Sequence, residues 1–404
     1  MPPLPSFRGR SGISMESWAK IRWISLICRR SGRGLAARRV AAVLGAVFAW
    51  TAVLGWAAAA PAAAHAADAP DATNYRTTIT GITPDLPGVT VRAIEAGARL
   101  ELTNSSDRVV EVLGYSNEAY LEIRPDGVYE NANSPATYLN ATLTGGVVPP
   151  ANADPAAAPD WRKVSGEPKA RWHDKRTRWT QLQPPPAVAA DPGQPHRIAD
   201  WSVPLRLADD LSLLQIQGTL DWVPPPSAAL WWIVTLVAAA AVACLGLVRA
   251  IGVPVLGIVL MAGGLAALAY VGAREIDAGA ATAWQLISGV FASELWPAVA
   301  GLTALVASGV AIRSRPSALF ALALAGAGLA LFGGVVNAAV FFRSVAPVPW
   351  NDLTARLVIA AVLAFGLGVC GAASLRLRAS TRYTPRVDHE LRVSVDGVST
   401  PSSS

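Results

Sequence analysis

The side chains with the widest chemical range in this chain are few and crowded. The sequence holds four histidines. Beyond the leader, His173 and His196 precede the first long apolar stretch, and Asp174 sits directly after His173. Two imidazoles and a carboxylate are a donor set for Cu or Zn. The plainer reading makes His173 a hydrogen-bonded structural residue beside Trp172. Around it runs a second pattern: Arg162, Lys163, Lys169, Arg171, Lys175, Arg176 and Arg178, interleaved with Trp161, Trp172 and Trp179. Guanidinium and indole together bind anionic polymers or lipid headgroups through charge and stacking. Trp161, Arg171, Trp172, Lys175, Arg176, Arg178 and Trp179 thus form a candidate ligand patch. The competing reading is a solvated loop paired with Glu167, Asp174 and other acids. A third set, Glu118, Glu122 and Glu130, offers paired carboxylates. Glu122 and Glu130 are expected to face each other across a hairpin, which favours solvent-side charge over catalysis. There is no His-Glu-x-x-His helix, Gly-x-Ser-x-Gly elbow, phosphate-binding Gly loop or redox Cys pair.

The elements that must position these groups divide at Leu220-Asp221-Trp222-Val223-Pro224-Pro225-Pro226-Ser227. From Ser227 to Val248 no residue is charged. A helix rises 1.5 Å per residue, so about 20 apolar residues cross the roughly 30 Å hydrocarbon core. The three prolines end a strand and make a short, stiff spacer. Five spans are expected, at 228–248, 251–271, 295–312, 318–341 and 357–375, forming an all-α transmembrane bundle over 227–375. Arg249, Arg313, Arg315, Arg376, Arg378 and Arg382 then fall on one side, Trp231, Trp232, Trp284, Trp296 and Trp350 near the other. By the positive-inside rule and the aromatic belt, the region before the spans is outside and the tail, 376–404, is cytoplasmic. That tail ends Thr-Pro-Ser-Ser-Ser and reads as disordered.

With 404 residues, 52% of them hydrophobic and 15% charged, the composition fits a polytopic membrane protein. The net charge of +6 sits in the leader and tail, so it is an insertion signal and no mark of nucleic-acid binding. Cys28, Cys244 and Cys370 all lie outside 67–226, which excludes disulfides and a Cys-based zinc site there. Residues 1–66 read as a signal peptide with a long n-region: Arg38 and Arg39 precede the apolar run Val40 to Ala60, and small residues end in Ala64-x-Ala66. Met1 and Met15 are both possible starts, and an uncleaved signal anchor is the alternative.

Residues 67–226 read as an all-β, sandwich-like extracytoplasmic domain. Strand patterns begin near Thr90. Arg99 to Thr103 alternates, and Asn104-Ser105-Ser106-Asp107 turns it into a returning strand at Arg108 to Leu113. Pro125-Asp126-Gly127 marks a hairpin, and Leu214, Ile216, Leu220 and Trp222 carry the final strand. Between 145 and 200 the period fails. Four tryptophans in or beside that stretch favour an ordered, irregular excursion.

Gly114-Tyr115, Glu118-Ala119-Tyr120-Leu121, Arg124-Pro125-Asp126-Gly127-Val128, Asn133-Ser134-Pro135-Ala136, Trp172-His173-Asp174, Arg176, Trp179 and Gly218-Thr219-Leu220-Asp221-Trp222 resemble a family of uncharacterised envelope membrane proteins of high-GC Gram-positive bacteria. The resemblance implies a signal peptide, a β ectodomain and several C-terminal spans, with no established activity. In that family the motif reads Trp-His-Asp-His-Arg-x-His-Trp-Met. Here Lys175, Arg178 and Thr180 replace two histidines and the thioether, and two cations repel a metal ion.

These readings converge on a non-enzymatic, membrane-anchored envelope protein that binds, senses or organises something outside, with the membrane and an anionic envelope polymer or lipid headgroup as partners. Envelope copper handling and an envelope hydrolase or transferase are the alternatives. The expected cofactor is none, Cu being the lesser option. The sequence carries no signal for an oligomeric state.

Overall fold

The computed structural model describes residues 70–248 and 252–382. The signal peptide expected over 1–66 lies outside the described residues, as does the tail from 383 onward. The described chain is an antiparallel-sheet region followed by apolar helices.

Among the described residues ten strands make two sheets. The larger holds β1 (Tyr75–Thr83), β10 (Leu213–Trp222), β9 (His196–Leu207), β4 (Val110–Leu113), β5 (Ala119–Arg124), β6 (Gly127–Asn131) and β7 (Trp161–Ser165), in that spatial order. The smaller holds β2 (Val89–Ile94), β3 (Arg99–Asn104) and β8 (Lys169–Trp172). Period-two burial sets the register. Trp201, Val203, Leu205 and Leu207 of β9 are buried, as are Leu214, Ile216 and Leu220 of β10. They share one core with Leu100, Leu102, Ala170 and Trp172 of the smaller sheet. Each fully buried Leu or Ile contributes about 1.5–3 kcal/mol. Gly218 lies opposite Trp201, and a Cβ there would stand 2.2 Å from the indole, so only glycine lets the ring lie across β10.

Several expectations are corrected. Strand structure starts at Tyr75, before Thr90, because the Thr-rich β1 is only half-buried and shows a weak apolar period. The 104–107 turn does not return the chain into a hairpin. β3 pairs with β2 and β8, while β4 pairs with β5 and β9, so the turn carries the chain between sheets. Asn104 fixes this crossing by donating to the carbonyls of Arg108 and Ile123. The 145–200 excursion contains two edge strands, β7 and β8, each too short to show a period. Glu122 and Glu130 do not face each other. The two-residue turn sets Glu122 opposite Tyr129 and Glu130 opposite Leu121, on opposite faces of the sheet.

Two short helices, α1 (Pro135–Leu139) and α2 (Pro186–Ala190), interrupt the strands. The helical part comprises α3 (Ala228–Cys244), α4 (Val253–Asp277), α5 (Ala283–Ser293), α6 (Leu295–Ile312), α7 (Ala318–Phe341, ending in a π turn and a 3-10 turn) and α8 (Asp352–Arg382). Four of them, α4, α6, α7 and α8, are long and apolar enough to cross a membrane, which makes this a multi-pass membrane protein. Five spans were expected. α3 stops after 17 residues, about 25 Å, short of the roughly 30 Å core. Tight turns at Leu245 to Val248 end it, and Arg376 of α8 donates to the carbonyls of Leu245, Gly246 and Val248. α8 runs on through Arg376 to Arg382, beyond the expected end at 375. Small residues bring helices together: a Cβ on Gly264 of α4 would lie 2.9 Å from the Gly301 carbonyl of α6.

The β region rests on one end of these helices. Thr73 and Val345 form a β-bridge, Arg76 pairs with Asp352 at 2.8 Å, and Arg343 donates to the Ala72 carbonyl at 2.7 Å. α4 and α7 end there, while α6 and α8 begin there.

Candidate functional site

The site is built on the turn Glu95-Ala96-Gly97, between β2 and β3. All three residues have positive φ, at 55°, 56° and 86°. A non-glycine residue in this left-handed region costs about 1–2 kcal/mol, so two in succession must be held by their surroundings. The turn presents a backbone amide to the helices, a strong donor that needs an acceptor. The acceptor is the carboxylate of Asp277, the last residue of α4. Oδ2 accepts from the Glu95 amide at 2.8 Å, and the adjacent Ala96 amide faces the same carboxylate.

A second tie lies two residues further on. Gly279 has φ of 94° and closes the end of α4. Its carbonyl accepts from the Arg171 guanidinium, and a Cβ there would lie within 2.5 Å of that group. A cation at a helix C-terminus is favoured by the helix dipole. Arg171 also donates Nε to Glu101 at 2.6 Å, and Arg92 donates to the other Glu101 oxygen at 2.7 Å. Burial alone would raise the Glu101 carboxyl, but the two guanidinium bonds outweigh it and hold Glu101 below its ordinary range.

Cavities open around this turn. One of about 210 Å3 is lined by Glu95, Arg99, Arg274, Glu275, Ser293 and Glu294, among others. A second, of about 340 Å3, lies between the turn, Arg178, Trp179 and Arg343. A third, of about 480 Å3, reaches Asp277 and Trp350. In the first, Arg274 is the hub: its Nε pairs with Glu294 Oε1 at 2.6 Å, and its other nitrogens donate to the Pro70 carbonyl and to Asn337 Oδ1. Glu95 is 7% exposed and Glu294 5%. Burial raises the Glu95 carboxyl, against the opposing pull of Arg99. Burial also raises Glu294, with Arg274 opposing. Arg99 Nε lies 3.0 Å from Glu95 Oε2 but aims its N–H at His173 Nε2, so Oε2 receives no hydrogen bond.

The residues singled out in the sequence fall in several places. His173 is buried. Its Nδ1–H donates to the Ala98 carbonyl at 2.9 Å, which leaves Nε2 as the acceptor for Arg99 at 3.3 Å. Both ring nitrogens are therefore engaged. His196 starts β9 and bonds the Asp191 carbonyl at 2.6 Å. Asp174 is fully buried and accepts from Trp172 Nε1 and from the Arg176 side chain and amide. Arg176 then reaches the Leu113 carbonyl at 3.1 Å, clamping the segment to β4. Among the described residues no group of three or more His, Cys, Asp or Glu is placed to hold a metal ion.

The cationic run is dispersed. Lys163 pairs with Asp126 and Arg162 with Asp160, while Trp161 lies opposite Asn131 in β7. The Lys175 amide donates to the Tyr115 hydroxyl. Trp172 is core, and Trp179 packs on it, donating to the Gln183 carbonyl. Arg171, Arg178 and Trp179 reach the junction with the helices. Of the carboxylates, Glu118 accepts from Ser134 and the Ser116 amide, and Glu122 from Arg124.

Sequence reasoning missed the centre of the site: Glu95, Arg99, Arg274, Glu275 and Asp277. The available signal was the charge run Arg274-Glu275-Ile276-Asp277, which follows an apolar stretch without a break in helical pattern. No family model, curated protein or solved structure matches this chain.

Proposed function

We propose that this is a non-enzymatic envelope membrane protein whose β region, a sandwich-like domain, is exported behind a signal peptide and works as one unit with the helices. The junction around Glu95-Ala96-Gly97 is its binding or sensing site. The observation that carries this reading is the pair of left-handed amides closing on Asp277. A domain merely tethered by its linker has no use for a strained turn, a helix-capping arginine and buried acids at the contact. The organisation fits the envelope family that the motifs resemble. Direction and charge support the orientation: α8 begins at the β region and leads away to Arg376 and Arg378, while Arg313 and Arg315 follow α6 at the same far side. With the β region outside, these arginines face the cytoplasm.

The test is hydrogen exchange on the full-length protein in lipid nanodiscs. The amides of residues 95 and 96 are expected to be protected as strongly as those of α4. Free exchange at this turn, with β9 and β10 protected, would reduce the helices to an anchor. A reporter enzyme fused near residue 200 checks the orientation, and activity restricted to the cytoplasm would reverse it.

A further inference from the structure

The smallest of the three cavities has an unbalanced lining. Glu275 sits on the last turn of α4, is 7% exposed, and faces the cavity. Its carboxyl makes no hydrogen bond or ion pair with any described residue. Across the cavity Glu95 Oε2 is buried without a hydrogen bond, its one charged contact being Arg99 Nε at 3.0 Å. The neighbouring cations are already committed. Arg274 serves Glu294, Asn337 and Pro70, and Arg99 is divided between His173 and its ion pair with Glu95. What the cavity offers is acceptor capacity and carboxyl groups in a half-open cleft. Leaving a buried carboxylate without a donor is costly.

A compact cation with several N–H donors is the complement of such a lining. A primary ammonium has three rotatable donors. A quaternary ammonium has none to give, and no cluster suited to a metal ion is present among the described residues. The route in is marked by α5. Trp284, Ile287 and Phe291 lie on one face of it and are exposed. An apolar face of this kind at the end of a spanning helix rests in the headgroup layer. α5 ends at Ala292 and Ser293, which line the cavity, and a Cβ on Gly289 would strike the Glu275 carboxyl.

We propose that this cavity binds a primary ammonium group through Glu275 and Glu95, carried either by a lipid headgroup or by a small soluble amine. The proposal rests on the reading of the junction as the binding site and adds the class of ligand. The experiment uses the full-length protein in phosphatidylcholine nanodiscs, with thermal unfolding and hydrogen exchange as readouts. Ethanolamine should raise the unfolding temperature saturably, by on the order of 2–5 °C. Tetramethylammonium should not. Glu275→Gln should lose the response while the amides of residues 95 and 96 stay protected. Replacing part of the lipid with phosphatidylethanolamine separates the sources. If that lipid stabilises the protein and removes the ethanolamine response, while its N,N-dimethyl analogue does neither, the amine comes from lipid. A response to ethanolamine that survives the lipid change assigns a soluble amine. No response to either, or equal responses to ethanolamine and tetramethylammonium, overturns the proposal. Protection at residues 95 and 96 then tells whether the junction reading survives it. Should Glu275→Gln fail to fold, the selectivity of the wild-type protein between the two cations still decides.

Discussion

Asp277→Ala isolates the contact on which the junction depends. The substitution removes the acceptor of the Glu95 amide, which the Ala96 amide also faces, and leaves α4, the Arg171–Gly279 contact and both sheets in place. A hydrogen bond to a charged group contributes about 1.5–3 kcal/mol, and a buried amide left unpaired costs about 1–3 kcal/mol. Part of that cost is relieved as the turn relaxes. Its left-handed pair, worth about 1–2 kcal/mol per residue, no longer has a reason to persist. A net loss of about 2–4 kcal/mol in docking is expected, an increase in the open state of about 30- to 700-fold at 1.4 kcal/mol per decade. Hydrogen exchange in nanodiscs should show that loss of protection over residues 94–98 and at the end of α4, with β9 and β10 unchanged. Two results would refute the reasoning. Unaltered protection at the turn would mean that Asp277 does not hold it. Loss of protection throughout the β region would mean that the carboxylate supports the whole fold and not the contact.

The remaining predictions test neighbouring parts of the molecule. Ala96→Gly relieves one left-handed residue at a backbone entropy cost of roughly 0.5–1 kcal/mol, so docking should be unchanged or tighter; exchange at the turn measures it, and a loose turn would deny the strain. Arg176→Ala leaves Asp174 buried and charged without its bidentate partner, and should cost about 3–5 kcal/mol in β-region stability, read as a lowered unfolding temperature; a change of less than about 1 kcal/mol would place that pair on the margin. Glu95 has its carboxyl raised in the folded protein by burial, in the company of Arg99, Asp277, Arg274 and Arg171. Its contribution to stability is therefore present below the ordinary carboxylate range and is lost as pH rises through the raised folded value. Junction protection, corrected for intrinsic exchange, should weaken on going from mildly acidic to neutral pH, and Glu95→Gln should flatten that dependence; the opposite slope would contradict it. Because both nitrogens of His173 are engaged, Cu(II) should give no saturable heat in calorimetry that His173→Ala removes, and micromolar binding lost in that variant would revive the copper reading.

The elements with strong periods were legible from sequence alone. The β10 alternation of Leu214, Ile216 and Leu220, the Pro125-Asp126-Gly127 hairpin and the apolar helices all follow from local pattern and turn chemistry, because period-two burial and long uncharged runs are properties of neighbouring residues. The boundary at Pro224 to Pro226 belongs to the same class. Length alone could not settle α3, whose end is closed by a guanidinium from the distant Arg376. The site lay further out of reach. His173, Asp174 and Arg176 stood out by type, yet their chemistry is consumed by Ala98, Trp172 and Leu113, partners remote in sequence or set by the turn. Nothing in the local pattern marks Glu95 or Asp277. They meet only because the β2–β3 turn lands on the end of α4, 182 positions along the chain. Pattern along a sequence records which face of an element is buried; which two charged ends are pressed together is decided by how whole sheets and helices pack.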